Sequence, residues 1–242
     1  MDFEFFATTL VRLLAGIPLA LELAVGSIVI GGLMGLAVAL LRLSGIKAFA
    51  LFAWLYVLVI RSIPLLVLLF LIYYGLGQFA AVRKSILWPF LRDPFWCALL
   101  ALSVNASAYA AEIIRGALLS VPQNQLEAAR ACGMSPFLMF RRITLPLAIR
   151  QAIPAYSNEL IAMVKATSLA SLVTLLEISG IATNIAAETY RPVEVYIAAG
   201  VIYLAINVIL AQAVGLFEAY LSPDRKRPTP VALTPAENGI AQ

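Results

Sequence analysis

The chain has 242 residues, 62% of them hydrophobic and 12% charged, with a mean hydropathy of +0.95 and a formal charge of +4. A soluble domain is about 45–50% apolar and about 25% charged, so this composition excludes a soluble globular fold and indicates an integral membrane bundle of about five or six spans, each needing roughly 20 apolar residues. The cationic excess is read as a topology signal rather than a nucleic-acid footprint, the lack of histidine removes the commonest general base and metal ligand, and the distant Cys97 and Cys132 make neither a disulfide framework nor a metal site.

Residues 1–16 open with the acidic MDFEFF and are read as an extracytoplasmic segment. The apolar run that follows is too long for a signal-peptide core, so it is read as a retained span over Ile17–Leu41. Within it, Gly31-x-x-x-Gly35 would let another helix approach closely, and Glu22 is placed at the outer interface. Residues 48–80 are apolar except for Arg61, too long for one span and too short for two. Arg61-Ser62-Ile63-Pro64 interrupts them: proline pushes its predecessor out of helical geometry, and an arginine at mid-bilayer is costly. The pattern predicts a helix over 48–60 lying at one interface, then a span over Ile63–Phe79.

A polar loop with two prolines covers 80–94, and a third span covers Phe95–Ile114. A polar insert occupies 120–146, a fourth span Ala152–Leu176, a loop of mixed charge 177–194, and a fifth span Val195–Phe217. Residues 219–242 form a polar, Pro-rich tail predicted to be disordered. Trp54, Tyr56, Tyr73, Tyr74, Trp88 and Trp96 are assigned to interface belts.

Five spans put the termini on opposite sides. With the insert, the 42–47 loop and the tail together, that side collects Arg42, Lys47, Arg115, Arg130, Arg141, Arg142, Arg150, Arg225, Lys226 and Arg227, against Arg12, Arg83, Lys84, Arg92 and Arg191. This asymmetry predicts a cytoplasmic insert and C-terminus and an outside N-terminus.

The insert is well punctuated. Ser120 with Gln123 three residues on suggests a capping box starting a helix. That helix would run to Cys132, with Gly133 as the left-handed residue that ends it. Ser135-Pro136 starts a second helix, whose approximate end is set at Pro146. Two short helices joined at a glycine form either a plain connection or a knob that docks on another protein.

A family pattern separates these two. Glu127-Ala128-Ala129, three residues, Gly133, nine residues, Ile143, one residue, then Leu145-Pro146 resembles the EAA signature of ABC importer permeases at every fixed position. IRSIPLLVLLF is similar to the Arg-Gly-Thr-Pro-Leu-Leu segment of the polar amino-acid branch, with Ser62-Ile63 in place of Gly-Thr. NASAYAAEIIRGALLSVPQNQLEAARACG and PAYSNELIAMVKATSLAS resemble the same branch, the latter most closely the histidine, basic amino-acid and opine importers.

The resemblance covers about residues 15–218. It implies an all-α, MetI-like permease bundle (residues 17–218) of about five transmembrane helices with a cytoplasmic coupling insert. It also implies a multi-pass protein of the bacterial inner membrane that imports a polar amino acid, a basic one or an opine. The implied partners are a second permease subunit, identical or homologous, two cytoplasmic ATPase subunits, a periplasmic substrate-binding protein and the lipid bilayer, with no nucleic acid. Glu127, Ala128, Ala129, Gly133, Ile143, Leu145 and Pro146 would then couple to the ATPases. No GxxxxGK[ST] occurs in the chain, so ATP and Mg would sit on the partner and no cofactor or metal in this chain.

Ionisable and amide groups inside spans are candidate pathway residues. The fourth span supplies Asn158, Glu159, Lys165, Thr167 and Ser168. Glu159 either meets a substrate cation, with Thr167 and Ser168 offering hydrogen bonds about two turns on, or sits at the cytoplasmic end paired with Arg150. Lys165 is either an interface contact or a carboxylate ligand. Many relatives carry Asp where this chain has Ala166, which removes one possible cation ligand. In the third span Asn105 and Tyr109 share a face with Glu112; Tyr109 is taken as a pathway candidate, Asn105 as a helix–helix contact. A secondary transporter is disfavoured because no inverted repeat is visible and five spans do not halve. A membrane enzyme is disfavoured because HExxH and GxSxG are missing. A scaffold half of a permease pair, without its own substrate site, remains the alternative.

Overall fold

Residues 3–221 are described in the computed structural model, and they fold into helices linked by short turns. In chain order these are α1 (Phe3–Leu14), α2 (Ile17–Leu43), α3 (Lys47–Ser62), α4 (Leu65–Gln78), α5 (Ala80–Arg83), α6 (Trp88–Leu91), α7 (Pro94–Leu119), α8 (Gln123–Ala131), α9 (Pro136–Met139), α10 (Leu145–Ala166), α11 (Ile178–Thr189) and α12 (Pro192–Leu221). Among the described residues three helices are long and apolar enough to cross a membrane alone: α2, α7 and α12. The count reaches five if each of two bent pairs is one span: α3 with α4, bent by 102°, and the run Pro136–Val173 with α11, bent by 48°.

The bundle is organised around α2 against α7. A Cβ on Gly31 would come within 2.6 Å of the Ala106 Cβ and 2.8 Å of the Ser103 carbonyl. A Cβ on Gly35 would meet Ala110 and the Ser107 carbonyl at the same two distances. The small-residue spacing on α2 therefore faces small residues at the same spacing on α7, and the two backbones touch along a seam. Lipid gives helices no hydrophobic reason to associate, so this close packing is what holds them. Around the seam, Leu23, Ile28, Leu69, Leu102 and Met163 make the main core. A second core joins Leu13 of α1, Ile178 and Ile185 of α11, and Val195 and Ile202 of α12.

The α3–α4 pair corrects one expectation. α3 is not laid at an interface: Ser107, in the middle of α7, donates to the Val104 carbonyl (2.7 Å), which leaves its oxygen to accept from the Tyr56 hydroxyl (2.6 Å). Tyr56 is accordingly no belt residue. α3 and α4 meet at a 102° turn, and the break at Ile63-Pro64 lies beside the middle of α7 instead of at its end. α4 itself passes through a π-turn at Leu71–Gly75 and ends in a 3₁₀ turn.

Further corrections concern helix ends. Pro146 does not end a helix. Its missing N–H and the bulk of its ring are absorbed by a π-turn over Phe140–Thr144, and the helix continues from Pro136 through α10. Ser120 does not cap α8; it bonds back to the Ala117 carbonyl at the end of α7 (2.8 Å), and Pro122 takes the cap position. Residues 177–194 are not a loop, because Glu177 caps α11 through the Gly180 N–H (2.9 Å). Inside the polar 80–94 segment, Asp93 caps α7 by accepting from the Phe95 N–H (2.8 Å). Of the expected tail, 219–221 continue α12 and the remainder lies outside the described residues.

Candidate functional site

The break between α3 and α4 exposes backbone at depth. In lipid this is tolerated where the backbone is covered by protein or lines a cavity, and here a cavity is present. Its first lobe, about 470 Å³, is lined by Arg61, Ser62, Ile63, Pro64 and Leu65 from the break, Asn105 and Tyr109 from α7, and Glu159, Ala162, Met163 and Ala166 from α10. A second lobe of about 360 Å³ shares Arg61, Ser62 and Tyr109 and extends to Arg42, Trp54, Val57, Leu58 and Glu112. Each lobe is within the range of about 300–1,000 Å³ for small-molecule sites.

Helical spacing explains the lining. Glu159, Ala162, Met163 and Ala166 are one face of α10, and Asn105, Tyr109 and Glu112 are one face of α7. Arg61 enters from the end of α3 with its guanidinium carbon 4.9 Å from the centre of the Tyr109 ring, a cation–π contact. Among the described residues, neither Arg61 nor Glu159 has a direct ion pair or a hydrogen bond. The cavity therefore holds one acidic and one basic group without a mutual contact. At the far lobe, Arg42 donates to Glu112 Oε1, and Arg115 forks onto Oε2 through Nε (3.1 Å) and Nη2 (2.8 Å).

The predicted pathway residues divide sharply. Glu159 and Tyr109 line the cavity together. Arg150 is exposed nine residues before Glu159, about 13 Å along the helix, so Glu159 sits deep in the bundle and not at its insert end. Asn158 and Lys165 are exposed beside the lining face. Thr167 is buried and gives its hydroxyl to the Val164 carbonyl (2.8 Å), while Ser168 bonds the Lys165 carbonyl (2.7 Å). Both belong to a 3₁₀ stretch that ends the helix, outside the lining. Asn105 and Arg61 are lining residues that the sequence reading did not select. The signal was available in Arg61, an unexplained cation in an apolar run. Tyr73, Tyr74 and Trp88, expected in belts, gather with Gln78 and Arg92 around a pocket at the end remote from the insert.

The insert is anchored where Val121, Ala117 and Ala148 are buried against Leu126 and Leu147. Gly133 takes φ +73, and the N–H groups of Gly133 and Met134 bond the Arg130 and Ala129 carbonyls (2.9 and 3.1 Å), the left-handed helix end expected there. Ser135 caps α9 by accepting from the Leu138 N–H. Ala129 faces inward, whereas Glu127, Ala128, Gly133, Leu145 and Pro146 are exposed and Ile143 is half-buried. Beside them Phe137 is 73% and Phe140 43% exposed. The helix runs from Pro136 into α10, with Pro154 inside it, so the insert surface and Glu159 belong to one helical run.

Residues 27–222 match the model of the family described as binding-protein-dependent transport system inner membrane component. The octopine transport system permease protein OccM of Rhizobium meliloti is 55% identical over 223 residues, covering 92% of this chain and 91% of the relative. The histidine/lysine/arginine/ornithine transport system permease protein HisM of Escherichia coli strain K12 is 41% identical over 196 residues, 81% of this chain and 82% of the relative. Among solved structures, an amino acid ABC transporter crystallised with histidines superposes with a TM-score of 0.82 at 36% identity, covering 91% of this chain and 99% of that one.

Proposed function

The chain belongs to the family of binding-protein-dependent transport system inner membrane components, and on that premise we propose that it binds a cationic amino acid or opine in the cavity at its broken span and passes it across the membrane. It is a permease subunit of an amino-acid or opine ABC importer, so ATP hydrolysis belongs to a separate ATPase and delivery to a binding protein. A second permease subunit completes the assembly. The insert end faces the cytoplasm and the N-terminus the outside, in keeping with the ten-to-five asymmetry of Lys and Arg.

The observation that carries this reading is the pair Glu159 and Arg61, which line one cavity without a direct ion pair. Ionisable groups within membrane-spanning segments mark substrate paths, and a zwitterion with a cationic tail would pair with both. The ammonium or guanidinium of the substrate lies at Glu159, its α-carboxylate at Arg61, and its chain along Tyr109 and Met163. Coupling runs through Glu127, Ala128, Gly133, Phe137 and Phe140, where the ATPase docks. Closure of the ATPases drives the Pro136–α10 rod, and the cavity alternates between the two sides.

Binding of labelled arginine and octopine to the purified permease–ATPase complex tests this. Saturable binding is expected, weakened by at least about tenfold, ~1.4 kcal/mol, in Glu159→Gln. Unchanged affinity in that variant removes Glu159 from the site. An intact complex that binds neither ligand makes this chain the scaffold half of its pair.

A further inference from the structure

We propose that the lobe around Arg42 is a subsite for a second carboxylate on the transported molecule, so that this chain favours N-carboxyalkyl derivatives of basic amino acids over the plain amino acids. The inference rests on the placement of the substrate between Glu159 and Arg61 and extends it along the cavity.

The charge inventory leads there. One carboxylate, Glu112, is held by two guanidinium groups: Arg42 reaches Oε1, and Arg115 takes Oε2 with two donors. Its oxygens are engaged by both neighbours, yet Arg42 spends one nitrogen on the contact and keeps the rest of its five donors. Arg42 and Glu112 line the lobe and Arg115 stands behind it, while Arg61 lines the side shared with the Glu159 lobe. Three cations thus surround one anion, leaving an excess of positive charge in a space walled by Trp54, Val57 and Leu58. Charge interactions strengthen as the surroundings become less polar, so this lobe attracts an anionic group.

The two lobes adjoin, with Arg61, Ser62 and Tyr109 lining both. Along the cavity the order is acid at Glu159, base at Arg61, then Arg42 with its partner Glu112, whose charge Arg115 also offsets. A ligand that mirrors it carries a cation, then one carboxylate, then another. Octopine, arginine bearing a carboxyethyl group on its α-nitrogen, has these three charges; arginine lacks the third. A phosphate or carboxylate from an anionic lipid head group offers Arg42 the same chemistry, and the shared wall with the substrate lobe favours the substrate as its source.

The test uses the whole complex, this chain with its partner permease and ATPases, in phosphatidylcholine vesicles, with affinities measured for arginine and octopine. Wild type is expected to hold octopine more tightly, and Arg42→Gln to weaken octopine at least about tenfold while arginine moves less than about twofold. Arg42→Lys should recover part of the preference. Arg115→Lys keeps the positive charge behind the lobe while removing the fork onto Glu112, and should keep the octopine-to-arginine ratio. Loss of the ratio in Arg115→Lys to the same degree as in Arg42→Gln would make the cluster a structural clamp and overturn the subsite. So would a wild type that binds arginine as well as octopine, with the placement at Glu159 left standing. Erasure of the preference on adding phosphatidylglycerol would assign the lobe to lipid and likewise overturn it. Glu159→Gln separates the two readings: unchanged binding of both ligands there defeats the parent placement alone, and binding of neither ligand by wild type defeats both.

Discussion

Two faces of α7 treat empty space in opposite ways. Toward α2, Ala106 and Ala110 meet Gly31 and Gly35 so closely that even a methyl group would collide. One step round the helix, Asn105, Tyr109 and Glu112 face a cavity that no described side chain fills. The first face is built from the smallest residues and draws its strength from contact, the only cohesion lipid leaves available besides hydrogen bonds. The second carries polar groups whose burial costs free energy unless something pairs with them. A single helix thereby joins a rigid seam to a binding surface, and a substitution should reveal which face it touches by whether stability or affinity responds.

The largest effect is expected on the seam. Gly31→Leu should prevent recovery of an intact permease–ATPase complex after solubilisation, while Gly31→Ala should lower its thermal midpoint, at a cost of about 1–3 kcal/mol as for other overpacked cores. A Gly31→Leu complex with normal yield and midpoint would show that the two backbones do not touch. Next comes the cavity face. Tyr109→Ala should weaken arginine or octopine by about 2- to 30-fold, the range of a cation–π contact worth about 0.5–2 kcal/mol, and Tyr109→Phe should retain most of the affinity. The midpoint should fall slightly in Tyr109→Ala, since Arg61 loses its ring contact, and hold in Tyr109→Phe; a large fall with unaltered affinity would move Tyr109 from the binding face to the seam.

Smaller again is Tyr56→Phe, because Tyr56 ties α3 to the seam side of α7 through Ser107. Losing that hydrogen bond should cost about 0.5–1.5 kcal/mol of stability and leave the octopine-to-arginine ratio alone. A changed ratio would mean that the tilt of α3 positions Arg61.

What was legible in the sequence follows the same division between local and distant causes. Gly31 and Gly35, the left-handed Gly133, and the Ser135-Pro136 cap announce themselves because the backbone within a few residues decides them. The α3–α4 break was also legible in Ser62-Ile63-Pro64, but its depth was not. The expense of Arg61 in lipid argued for moving the helix to an interface, and the groups that make room for Arg61, Tyr109 and the cavity, arrive from α7 and α10. Pro146 read as a stop since a π-turn that absorbs a proline leaves no sequence mark. Glu177 read as part of a loop although it is wholly buried, capping α11 and accepting from the Tyr203 hydroxyl at 2.5 Å. That partner is 26 residues away in the sequence. Thr167 and Ser168 resemble cavity ligands by type and spend their protons on their own helix.

The smallest expected effect, at Gly116, sharpens the contrast between the faces most. It lies in the same helix as the seam, one turn past Glu112, yet a Cβ built there meets nothing within 4 Å. Gly116→Ala restricts the unfolded chain and suits a helix better, a gain of about 0.5–1 kcal/mol where no neighbour objects. The midpoint should hold or rise slightly, with binding and ATPase stimulation unchanged. If instead the complex fails to assemble, something other than this chain must occupy the space beside Gly116, and the face of α7 that looks open in one subunit would be a second close seam, made with another.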